Sequence, residues 1–135
     1  MRWFGEEKQP VVEVWEEVSE GPLGDIDAAE KIRSICRAAT DSADFIGGSA
    51  KPAAGKQKSK KTHEVEAARY QRAAKAAMEI AMKVSDDLMR DAAVREIVDL
   101  CLRANDLKTA RILFRAIQAP SIRDGVLHEH PELHS

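Results

Sequence analysis

The segment from Ala77 to Leu127 repeats itself at a spacing of 33 residues: Ala77 falls on Ala110, Ile80 on Leu113, Val84 on Ile117, Arg90 on Arg123, Asp91 on Asp124 and Val94 on Leu127. A period in this range is the signature of stacked helix pairs, because one pair can bury its apolar face only against the next. The repetition points to a scaffold and not to a chemistry. No catalytic motif, cofactor fingerprint or metal-ligand framework accompanies it, so the expectation is a non-enzymatic protein that needs no cofactor.

At 135 residues the chain has room for one core. Aromatic residues make up only 4% of it, so the core must rest on alanine-rich helix faces that let helix axes approach closely. The net charge of −2 argues against a surface built wholly for nucleic acid or membrane. The charge is nevertheless segregated. Residues 1–30 carry nine acids against Arg2 and Lys8, and residues 51–75 carry eight Lys or Arg against Glu64 and Glu66. Met1 to Pro10 has no apolar run of the secretory type, and no segment has the ~20 apolar residues of a membrane span. Cys36 and Cys101, each on an apolar stripe, read as buried free thiols. Together these features predict a cytoplasmic protein.

Four regions are expected. Residues 1–43 form an acidic helical segment, residues 44–62 a flexible Lys/Gly-rich linker, residues 63–128 the helical repeats and residues 129–135 a polar tail. Within the first, Val11 to Val18 fits a short helix with Val11, Trp15 and Val18 on one face; VVEVW alone could be a strand, and helix is preferred because the rest of the chain is helical. A second helix, capped by Asp25, runs to about Ala39 with Ile32, Ile35, Cys36 and Ala39 inward and Lys31, Arg33 and Arg37 on its polar face. Gly47, Gly48, Pro52 and Gly55 among lysines carry no helical period, which reads as linker.

Beyond Thr62, taken as a cap, the spacing of Ala67, Tyr70, Ala74, Ala77, Ala81 and Val84 predicts a helix over His63 to Val84 with a narrow, close-packing seam. Ser85 and Asp86 stop it and cap a helix from Asp87 to Ala104 that buries Val94, Ile97, Val98 and Cys101. Asn105 and Asp106 predict a tight turn, since Asn tolerates the left-handed conformation and Asp caps the next helix. That helix runs from Leu107 to Gln118 with Ala110, Leu113, Phe114 and Ile117 inward, and Pro120 restarts the chain for a last short helix over Ile122 to Leu127.

With these positions laid out, Asp91 to Ile122 resembles a tetratricopeptide-type helical hairpin. Ala110, Phe114 and Ile117 take the small, aromatic and small positions of that family's second helix, which puts Val94, Ile97, Val98 and Cys101 on the buried positions of the first. Ala77, Ala81 and Val84 fit the second-helix pattern of the preceding unit. Val98 stands where the family has Gly, Cys101 replaces a Tyr, and Pro120 falls two positions early. The resemblance spans roughly Ala67 to Leu127. It implies an all-α fold of antiparallel helical hairpins stacked as a short tetratricopeptide-like superhelix. It also implies an adaptor, small chaperone or assembly subunit that binds another protein or peptide through the inner face of its first helices, here Arg95, Asp99, Leu102 and Arg103. Self-association stays open. The competing expectation is nucleic-acid binding through the lysines of residues 51–61, which no aromatic or glycine-rich turn supports.

Two further patterns are weighed against chemistry. His128, Glu129, His130, Glu132 and His134 lie within seven residues, yet Pro131 keeps His130 and His134 off one regular helical turn, so the tail reads as polar and not as a metal centre. The pairs Arg90–Asp91 and Arg123–Asp124 read as first-turn residues in which Asp favours the helix N-terminus and Arg bridges to its neighbour.

Overall fold

The computed structural model describes residues 13–16, 23–48 and 60–134. Among the described residues five α-helices succeed one another: α1 (Asp25–Gly47), α2 (Lys60–Ala81), α3 (Asp87–Arg103), α4 (Leu107–Ala116) and α5 (Pro120–Glu129). Short 3-10 turns stand at Val14–Glu16 and Pro131–Leu133. No strand occurs among the described residues.

Helix α1 is two turns longer than its apolar period suggests. Ser42 and Ala43 are buried, Phe45 and Ile46 continue the helix, and Gly48 ends it in the left-handed region at φ 84°. Asp44 to Gly47 are therefore helix and not linker, and Lys60 to Thr62 belong to the first turn of α2. Residues 49–59, the rest of the expected linker, lie outside the described residues, as do Val11 and Val18 of the expected first helix. Of that helix, Val14–Glu16 forms a 3-10 turn. Gly47 has a reason of its own to be glycine. A Cβ there would overlap the backbone carbonyl of Arg103, so the C-terminal ends of α1 and α3 meet backbone to backbone.

The two tight turns follow sequence logic. Asp86 caps α3 by accepting from the Met89 amide at 2.9 Å, and Asp106 caps α4 by accepting from Thr109 at 3.2 Å. Asn105 sits at φ 59° with its N–H on Leu102 O and the Asp106 N–H on Cys101 O, the paired bonds of a Schellman turn. Asp25 does something other than cap its own helix. Its carboxylate accepts from the Ser85 amide, the Ser85 hydroxyl and the Asp86 amide, tying the start of α1 to the α2–α3 turn.

Helix α1 packs along both α2 and α3, and α3 packs in turn on α4. The α1 face is Ala28, Ile32, Ile35, Ala39 and Ala43, and the α2 face Ala73, Ala77 and Ala81. All of Val94, Ile97, Val98 and Cys101 are buried on α3, and Ala110, Leu113, Phe114 and Ile117 are buried on α4 or just beyond it. Each fully buried isoleucine stabilises by roughly 1.5–3 kcal/mol relative to exposure. The alanines contribute little area themselves. Their role is to bring the helix axes close enough for the isoleucines and valines to interdigitate.

The chain end also departs from expectation. Helix α5 continues through His128 to Glu129, and Leu133 is buried in the core beyond it, so residues 129–133 pack against the fold instead of forming a free polar tail. Arg111 donates to the Glu132 carbonyl at 3.1 Å, holding this segment against α4.

Candidate interaction face

The residues of α1 that line the groove beside α3 fall at Arg33, Cys36, Arg37 and Thr40, and those of α3 that answer them at Glu96, Asp99, Leu100 and Arg103. Each set follows the three-and-four spacing of one helix face. Because α1 and α3 lie side by side, the two sets line a shallow groove of about 270 Å³. Arg33 faces Glu96 at 3.5 Å across it, and Arg103 places one nitrogen 3.0 Å from both oxygens of Asp44. Both arginines are about half exposed, so each pair contributes at most about 1 kcal/mol and leaves the groove cationic along one wall.

A second cleft, of about 470 Å³, adjoins the first and shares Asp99 and Arg103 with it. Its other wall is the chain end. Arg95 donates to Glu129 at 2.9 Å, His130 Nε2 lies 3.5 Å from Asp99 Oδ1, and His130 Nδ1 lies 3.6 Å from Glu132. Leu102 forms part of the floor and packs on the core. The pKa of Asp99 is raised, chiefly because burial disfavours its charge, while His130 and Arg95 oppose the rise. Its Oδ1 is shut from solvent and has no hydrogen-bond partner.

The two thiols are not reactive groups on this face. Burial pushes Cys36 up to about 12, with Glu96 and Cys101 adding to the effect, and burial pushes Cys101 up to about 11. Both remain protonated at neutral pH.

The structure thus brings Arg95, Asp99, Leu102 and Arg103 onto one side of α3, but three of the four already engage charges of the same chain. Sequence reasoning missed those partners: Asp44, Glu129 and His130. The stripe of Arg33 and Arg37 was visible in the sequence, whereas its juxtaposition with α3 was not. The two Arg–Asp pairs take different roles in the fold, and Arg90 stays 3.7 Å from Asp91. Asp91 is 1% exposed and accepts from the Gln118 and Ala119 amides, so it caps the start of α5 and not of its own helix. Arg123 stacks on Phe114 and donates to the Ile117 carbonyl, while Asp124 is exposed. Of the lysines considered for nucleic acid, Lys51, Lys56 and Lys58 lie outside the described residues, and Lys60 and Lys61 are exposed at the start of α2.

The chain matches no family model, no curated protein and no solved structure. No helix among the described residues is long and apolar enough to cross a membrane.

Proposed function

We propose that this protein is a non-enzymatic interaction module of tetratricopeptide-like type, an adaptor, small chaperone or assembly subunit, which binds a protein or peptide along the faces of α1 and α3. The observation that carries this reading is the pair of matched polar stripes, Arg33, Arg37 and Thr40 on one helix and Glu96, Asp99 and Arg103 on its neighbour, which line a continuous open groove. Such a surface suits an extended chain better than a small molecule, because it is shallow and charged and lacks the enclosed apolar walls that bury a ligand. The contact order supports the hairpin reading: α1 packs on α2 and on α3, and α3 packs on α4, as successive first and second helices would.

The test is affinity capture with the intact protein at moderate salt, followed by binding measurements on the identified partner. Reversing Arg33 and Arg37 to Glu should abolish capture while leaving the helical circular dichroism unchanged, because both side chains are exposed. Neutralising the lysines of residues 51–61 should matter little. Salt-sensitive binding to nucleic acid that disappears with those lysines would replace this reading with a nucleic-acid one, since phosphate contacts release counterions.

A further inference from the structure

We infer that Asp99, Glu129 and His130 form a site for a divalent transition-metal ion of the zinc class. One ligand atom from each lies within 4.8 Å of the others. Donors on a zinc ion stand about 2.0–2.1 Å from it and hence about 3.4 Å apart in a tetrahedral arrangement. The separation of His130 Nε2 from Asp99 Oδ1, 3.5 Å, already matches that spacing, and Glu129, on the exposed end of α5, has the freedom to close the rest.

Two features of the side-chain geometry favour a cation. Asp99 Oδ1 is shielded from solvent on a side chain that is otherwise about half exposed, and the donor it faces is His130 Nε2 at 3.5 Å, too long for a good hydrogen bond. The imidazole is also oriented for ligation: Nδ1 faces Glu132 at 3.6 Å while Nε2 faces Asp99. A carboxylate behind the ring is the arrangement that fixes the tautomer and raises the basicity of a metal-binding histidine. Imidazole with two carboxylates suits zinc and its neighbours better than calcium or magnesium, which favour all-oxygen shells. Three protein ligands is the number zinc takes where water or a partner's side chain supplies the remainder.

Arg95 is the competitor. Its guanidinium holds Glu129 at 2.9 Å, so loading the site requires Arg95 to yield that carboxylate or share it. The position of Arg95 therefore gives the site a signature that loose chelation by histidines would lack.

The experiment titrates zinc chloride into the full-length protein at neutral pH, read by calorimetry and by the imidazole NMR signals. One equivalent should bind with perturbation of the His130 ring. Asp99→Asn and His130→Gln should each abolish that equivalent, Glu132→Gln should weaken it about tenfold, and Arg95→Gln should tighten it. His128→Gln and His134→Gln should leave it unchanged. Circular dichroism of each variant establishes that loss of binding is not loss of fold. Absence of binding to the parent protein would overturn the inference, and so would binding that survives Asp99→Asn but is lost with His128 or His134, which would show adventitious chelation at the chain end. These readouts require no partner and stand apart from the test of the interaction face.

Discussion

Asp91, in the first turns of α3, accepts hydrogen bonds from the backbone amide of Ala119 at 2.8 Å and from that of Gln118 at 3.0 Å. A single buried carboxylate on α3 thus caps the start of α5, whose own cap position, Ala119, offers no side-chain acceptor. Asp91→Ala should destabilise the protein by about 3 kcal/mol, since it removes two charge-assisted bonds and leaves amide donors without a partner. Asp91→Asn, which retains an acceptor, should cost less. Asp124→Ala, at the exposed aspartate 33 residues further on, should stay within about 0.5 kcal/mol. Urea unfolding midpoints of the three variants check this ordering.

The contact between the ends of α1 and α3 gives a second prediction. Gly47→Ala should cost about 1–3 kcal/mol, because the new methyl must displace backbone and not a flexible side chain. Gly48→Ala meets no atom, and its cost is confined to the left-handed backbone at φ 84°, about 1 kcal/mol. Thermal unfolding of the pair separates crowding from backbone strain.

Ala77 and Ala110 are both completely buried, on α2 and α4. Replacing either by Leu should overpack the core by roughly 1–3 kcal/mol. Unchanged melting temperatures in both variants would contradict the close approach of the helices at these positions.

Acid stability should depend on Asp25 and Glu13. The amides of Ser85 and Asp86 hold the Asp25 carboxyl below its ordinary value of 3.8, and the hydrogen bond from Arg69 holds Glu13 below its ordinary 4.5. A carboxylate whose folded pKa is depressed contributes stability that is complete above its unfolded value and is lost as pH falls through the folded one. The melting temperature should therefore fall as pH is lowered below about 4.5, where these contributions begin to fade. Asp25→Asn should flatten part of that decline while lowering stability at pH 7, as measured by thermal denaturation across the acid range.

The sequence by itself determined the inward faces of α3 and α4 and the turn between them. Val94, Ile97, Val98 and Cys101 recur at the helical period, Asn105 needs no tertiary help to take the left-handed conformation, and Asp86 and Asp106 bond to amides only three residues away. These are local rules, acting over one or two turns. What the tertiary structure decided acts over tens of residues. Two glycines within one turn of chain resemble a linker until Arg103 is seen against Gly47, and the histidine-rich end resembles a polar tail until Leu133 is seen in the core. The candidate face divides the same way. The spacing marks Arg95, Asp99, Leu102 and Arg103 as one side of a helix, but their engagement with Asp44, Glu129 and His130 depends on helices separated by a turn or more of intervening structure. Asp91 shows the limit most plainly: its residue type and place suggested that it favours the N-terminus of its own helix, and only the fold decided that the helix it serves begins 29 residues further on.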